Sequence, residues 1–184
     1  SGNFGNLAAG LLAKRMGLDG FTFLAATNEN DVVPEYLRTG VYSPRPSKQT
    51  LSTAMDVGRP SNLDRIFHLY GGNLAELRKD LVGQRVTDEE TLECIRRVFA
   101  ETGYILDPHS AVGYAALEGE LRHLPGTLGV LLATAHPAKF AEVVEPVLGE
   151  AIPIPERLAA CLDAERRVIE LEPRIEALLE VLGS

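Results

Sequence analysis

Two short apolar runs, Phe21 to Ala26 and Leu128 to Thr134, lie between stretches of helical periodicity, and this spacing constrains the fold more than any other feature. Each is too short for a helix, and the first is rich in aromatic and branched residues, so both read as buried strands. Leu7, Leu11 and Leu12 share one helical face before Gly17 and Gly20 end the pattern. The segment from Thr27 to Arg59 has little periodicity beyond a short helix near Val32 to Leu37. Helical stretches follow at Asn62 to Tyr70 and at about Leu74 to Leu81, separated by Gly71 and Gly72. Thr87 and Glu90 form a capping box ahead of Leu92, Ile95 and Phe99, which predicts a helix from about Asp88 to Glu101. Asp107 is placed as an N-cap with Pro108 at the first helical position, leading to about Arg122. Pro137 opens a further helix whose face is Phe140, Val143, Val144 and Val147, stopped by Gly149. Pro155 to Leu182 reads as strongly helical, with Pro173 dividing it.

Helices alternating with short buried strands predict an α/β fold, part of an open sheet flanked by helices. Two strands are few for such a sheet. The remaining strands are expected in an N-terminal portion outside these residues, and residues 1–184 are read as one incomplete domain with a helical extension over 150–184.

Composition narrows the partners. A formal net charge of -8 and a pI near 5.0 disfavour nucleic acid and anionic membranes, both of which need clustered Lys and Arg. No apolar run approaches the ~20 residues that span a bilayer, and Ser1 to Asn6 lacks the charged and apolar regions of a signal peptide. Cys94 and Cys161 match no metal-ligand spacing and read as reduced thiols. The expectation is a cytoplasmic protein with a small-molecule or protein partner and no metal.

Ser1-Gly2-Asn3-Phe4-Gly5-Asn6 stands directly before a helix. Small and amide residues there let backbone N–H groups and the helix dipole hold a phosphate. Glycine and asparagine also make ordinary turns, so the pattern alone leaves both readings open.

The loop does not stand alone. Ala26-Thr27-Asn28-Glu29-Asn30-Asp31, the Met55-Asp56 pair, Asp107-Pro108-His109-Ser110-Ala111-Val112-Gly113 and Thr134-Ala135-His136-Pro137-Ala138-Lys139-Phe140 follow it in order. Together these segments resemble the C-terminal half of threonine synthases, pyridoxal-phosphate enzymes of fold type II, across essentially the whole chain. The resemblance implies the C-terminal portion of that family's large cofactor domain. It implies a lyase that converts O-phosphohomoserine and water to L-threonine and phosphate, with pyridoxal 5'-phosphate as cofactor. By the same resemblance Gly2, Asn3, Phe4, Gly5 and Asn6 hold the cofactor phosphate, and Thr134 places its hydroxyl against the pyridine nitrogen. The family's Schiff-base lysine belongs to a motif upstream of the loop. No catalytic residue is therefore expected here, the missing N-terminal half becomes a required partner, and the isolated piece is expected to be inactive.

Lys139 lies on the opening turn of a helix and reads as solvated. His68 and His123 read as ordinary helix residues, whereas His109 and His136 sit in the resembling motifs and either shape the site or make structural hydrogen bonds. Asn28, Asn30 and Asp31 follow the first strand, where open sheets build sites and where Asn and Asp also form turns. Arg45 and Lys48 could meet a substrate phosphate or belong to a plain surface loop. The sequence leaves two other functions open: another fold-type II reaction, and a non-catalytic module binding a phosphorylated ligand or partner protein.

Overall fold

The computed structural model describes residues 2–183, so the expectation for Ser1 lies outside the described residues. The chain divides into two compact units, residues 1–152 and 153–184.

The first unit is built on a two-stranded parallel sheet, β1 (Phe23–Thr27) and β2 (Leu81–Arg85), with Phe23 opposite Leu81 and Thr27 opposite Arg85. Parallel strands need a long crossover. Here it carries α2 (Val32–Thr39), α3 (Leu63–Leu69) and α4 (Leu74–Asp80), with a 3-10 turn at Thr53–Met55. Ahead of the sheet stands α1 (Gly5–Arg15), which contributes Leu7 and Leu11 to a core shared with Tyr36, Leu63 and Ile66. After it come α5 (Asp88–Thr102) and α6 (Pro108–Leu121), then a 3-10 turn at Pro137–Phe140 that runs into α7 (Ala141–Leu148). Ile95, Val98, Leu106, Ala111, Phe140 and Val144 form a second core, and Ala26, Met55, Val86, Val112 and Ala116 a third that joins the sheet to α6.

Local chemistry explains the element ends. Thr87 accepts from the amide of Glu90 while the Glu90 carboxylate accepts from the amide of Thr87, the reciprocal capping box expected for α5. Asp107 caps α6 through the amides of His109 and Ser110, with Pro108 at the first position.

The structure corrects three assignments. The second strand is Leu81–Arg85, where the sequence suggested only the end of a helix. Leu81-Val82-Gly83-Gln84-Arg85 has no alternation, and its strand state comes from pairing with β1. Gly83 makes that pairing compatible with α2, because a Cβ there would lie 2.8 Å from Pro34 Cα. Leu128 to Thr134, expected as a buried strand, has no regular secondary structure and pairs with no strand among the described residues. Burial alternates only over residues 128–132, where Gly129 and Leu131 are partly covered while Leu128 (86% exposed), Val130 and Leu132 are exposed; Ala133 and Thr134 are exposed as well. A run apolar on both faces needs cover on both sides, and α6 supplies only one. The third correction concerns the second unit, which is helical only over α8 (Glu156–Leu162) and α9 (Ile175–Leu182). Residues 163–174 are irregular: Asp163 ends one helix, and Arg166, Arg167, Val168 and Ile169 are exposed, their apolar side chains unburied. Among the described residues no helix is long and apolar enough to cross a membrane.

Candidate cofactor-binding site

The loop ahead of α1 is shaped from both ends. Phe4 adopts φ 57° and ψ 28°, the left-handed region that non-glycine residues rarely occupy, and is held there by burial of its ring to 2% exposure in the core with Leu7 and Leu63. Gly2 is buried against the Thr53–Met55 turn so closely that a Cβ would lie 2.6 Å from Met55 Cα. Asn3 is tied at both its oxygens. Its side-chain oxygen accepts from the Ser61 amide at 2.7 Å, and its backbone oxygen accepts from Asn62 Nδ2 at 2.9 Å. The loop is therefore braced from behind by residues 55–62.

Its front leaves backbone donors open. The first N–H groups of a helix have no intrahelical acceptor. In α1 no side chain caps them and no acidic residue lies in the first turn. Gly5 and Asn6 are exposed, and a Cβ on Gly5 would meet only Asn62 Nδ2, at 3.8 Å. No protein contact requires glycine at position 5, which leaves close approach of a ligand as a reason for it. The residues present fit a phosphate group.

Thr134 lies at the end of the irregular 128–134 segment, exposed, not on a paired strand. Its hydroxyl has no hydrogen-bond partner among the described residues. The turn that follows is set by His136, whose Nδ1 accepts from the Ala138 amide at 3.1 Å and caps the 3-10 turn. Lys139 is exposed on that turn, and His68 and His123 are exposed helix and helix-end residues.

Beyond β1, Asn28 and Asn30 form the centre of a buried polar cluster that the sequence did not reveal as such. Asn28 Nδ2 donates to Thr50 Oγ1 at 2.7 Å, to Ser52 Oγ at 2.9 Å and to Asp56 Oδ1 at 2.9 Å. Asn30 Nδ2 donates to Lys48 O at 2.9 Å, and Asn30 Oδ1 accepts from the Lys48 amide at 2.8 Å. Asp56 also accepts from Thr50 Oγ1 at 2.8 Å and from the Thr50 amide at 3.0 Å. These groups spend their hydrogen-bonding capacity on one another, fixing the 48–56 loop that carries Met55 behind Gly2. The only sequence signal was the density of Asn, Thr, Ser and Asp over 28–56.

Asp31 and Glu35 both engage Arg45, the Glu35 contact at 2.8 Å, so that guanidinium is already neutralised by two carboxylates. Lys48 is exposed and 3.9 Å from Glu29. Asp88, opposite the same loop, has its pKa raised by burial, against the lowering effect of the Leu51 amide that it accepts from. At the start of α6 the balance runs the other way. Burial pushes the Asp107 carboxyl up, but hydrogen bonds from His109 and Ser110 outweigh it and hold the pKa below the usual range.

An uncapped helix N-terminus behind a braced glycine loop, on a parallel sheet with crossover helices, is an arrangement with which open α/β domains can hold a phosphate. Known proteins show the family. The family described as pyridoxal-phosphate dependent enzyme matches residues 1–134, and that described as threonine synthase, C-terminal, matches residues 110–182. Threonine synthase of Escherichia coli K12 is 47% identical over 163 residues, which are 89% of this chain and 37% of that protein. Threonine synthase of Serratia marcescens is 48% identical over 86% of this chain and 36% of its own length. The crystal structure of the E. coli enzyme superposes with a TM-score of 0.84 at 44% identity, covering 100% of this chain and 42% of that one. A structure of pyridoxal-phosphate-bound threonine synthase from Brucella melitensis gives a TM-score of 0.82 at 31% identity, covering 99% of this chain and 44% of that one. The chain belongs to the threonine synthase family of fold-type II pyridoxal-phosphate enzymes and spans well under half the length of these relatives.

Proposed function

We propose that this chain forms the phosphate-holding part of an enzyme that converts O-phosphohomoserine and water to L-threonine and inorganic phosphate. The observation that carries the reading is the front of α1: free first-turn amides, no capping side chain, no acidic group, and a Gly5 that no protein contact requires. In this reading the backbone of Gly2, Asn3, Phe4, Gly5 and Asn6 binds the cofactor phosphate, and the helix dipole adds favourable charge. Pyridoxal 5'-phosphate, when bound, supplies an electron sink for charge developing on the substrate. Thr134 orients the ring by a hydroxyl hydrogen bond to its nitrogen. A neutral hydroxyl there leaves the ring less firmly protonated than a carboxylate would.

The braced loop does its work by being rigid before the ligand arrives, since Gly2, Asn3 and Phe4 are fixed by the core and by residues 55–62. The remainder of the enzyme supplies the other parts of the site, and residues 1–184 alone release no phosphate. In this reading residues 150–184 form a helical extension of the cofactor domain. The two free thiols, Cys94 and Cys161, suit a cytoplasmic location.

The test is an assay of the full-length protein with O-phosphohomoserine, following phosphate and threonine together. Equimolar release that requires added pyridoxal 5'-phosphate is expected. Turnover of serine, threonine or O-acetylserine in preference to O-phosphohomoserine would refute the substrate assignment.

A further inference from the structure

Among the described residues a single buried side-chain nitrogen or oxygen lacks a hydrogen-bond partner, Nε2 of His109. The rest of that imidazole is held. Its Nδ1 lies 3.3 Å from Asp107 Oδ1, and Ser110 Oγ donates to Asp107 Oδ2 at 2.5 Å, fixing the carboxylate in turn. Phe140 meets the ring edge to face, with centroids 4.7 Å apart and planes at 88°. With the Nδ1 proton directed to the carboxylate, Nε2 offers a lone pair inside the protein.

The contacts between α6 and residues 129–131 indicate which part of the following chain passes this end of the helix. A Cβ on Gly129 would lie 2.7 Å from Leu121 Cδ1 and 2.9 Å from Leu117 Cδ2, whereas one on Gly113 would lie 2.6 Å from Leu131 Cδ1. The two pieces therefore run antiparallel. One helical turn of four residues advances ~6 Å, about what two extended residues cover. Stepping back one turn from Gly113 reaches His109, and stepping on two residues from Leu131 reaches Ala133, next to Thr134. Phe140, on the far side of the turn after Thr134, returns to the same imidazole.

We propose that His109 is the positioning residue for this end of the segment: its Nε2 accepts a backbone N–H of residues 133–135 when Thr134 takes up its ligand-facing position. This rests on the reading of Thr134 given above. Asp107 orients the imidazole, Phe140 clamps it, and the captured peptide holds the hydroxyl in place. His109 itself touches neither cofactor nor substrate.

The experiment is a double-mutant cycle in the full-length protein, reading the dissociation constant of pyridoxal 5'-phosphate from its fluorescence. His109→Asn keeps an amide beside Asp107 but removes the acceptor at the Nε2 position, and is expected to weaken binding about five- to tenfold, the worth of one hydrogen bond. His109→Gln, whose amide reaches further, is expected to recover part of that loss. With Thr134→Ala already present, His109→Asn is expected to cost nothing further. Losses that multiply in the double variant would overturn the proposal, because the two residues would then act independently. Wild-type affinity in Thr134→Ala alone would instead remove the Thr134 reading, and the role of His109 would fall with it. A second measurement avoids variants altogether. In 15N-histidine-labelled wild type, the Nε2 resonance of His109 is expected to move upfield on adding pyridoxal 5'-phosphate, as an acceptor does on gaining a hydrogen bond. An unchanged resonance would overturn the proposal.

Discussion

Removal of the Asp107 carboxylate should separate two contributions that the start of α6 combines. The side chain is 2% exposed and accepts from the His109 amide at 2.9 Å, the Ser110 amide at 3.3 Å and Ser110 Oγ at 2.5 Å, with His109 Nδ1 at 3.3 Å. Asp107→Ala deletes an N-cap, worth about 1 kcal/mol. It also strands the Ser110 hydroxyl and the His109 ring N–H in a buried site, at about 1–3 kcal/mol each. The costs overlap because they share one carboxylate, so about 3–5 kcal/mol is expected. Asp107→Asn keeps a good cap and one acceptor oxygen and should lose only about 1–2 kcal/mol. The folded-state pKa of Asp107 is depressed, so its charge-dependent stabilisation is fully present above the unfolded carboxylate pKa and is lost as pH falls through the lower folded value. Urea denaturation of the full-length protein at pH 7 and at successively lower pH reads both effects. The gap between wild type and Asp107→Asn should narrow below about pH 4. A gap that widens on acidification, or an Asp107→Ala variant as stable as wild type, would refute this account of the α6 start.

Gly83→Ala should destabilise by about 1–3 kcal/mol, since the added methyl would lie 2.8 Å from Pro34 Cα and force α2 off the sheet. An unchanged urea midpoint would contradict that packing. Cys94 is buried in the second core, and burial pushes its thiol up to about 11, so pulse alkylation followed by peptide mapping should find it unmodified in native protein and modified in urea. Rapid native labelling of Cys94 would contradict its placement.

Elements specified by local chemistry were legible in the sequence. The Thr87–Glu90 capping box, the Asp107-Pro108 start and the Gly17 stop mark boundaries that depend on a few neighbouring residues, and α5, α6 and α1 follow them. Elements specified by distant partners were not. Leu81–Arg85 is a strand because β1 lies beside it, and no residue within the five announces that. Leu128 to Thr134 shows the converse, with the apolar pattern of a buried strand and no ladder partner among the described residues. At the site, the loop motif and its helix could be read directly. The bracing by Met55, Ser61 and Asn62 could not, because it joins positions more than 50 residues apart. The polar cluster around Asn28 was visible as composition, but whether those groups face a ligand or each other depends on the folding of the 48–56 loop.

Whether the loop at the start of α1 holds a phosphate can be measured on the cofactor itself. The direct measurement is the affinity of the full-length protein for pyridoxal 5'-phosphate against pyridoxal, in wild type and in Gly5→Ala. A Cβ in the first helical turn leans toward the helix N-terminus, into the space before the free amides, while touching nothing closer than 3.8 Å within the protein. Wild type should prefer the phosphorylated form at least about 100-fold, the effect of two charge-assisted hydrogen bonds. Gly5→Ala should lose most of that preference with its melting temperature unchanged or raised. An equal preference in wild type and variant would contradict the claim.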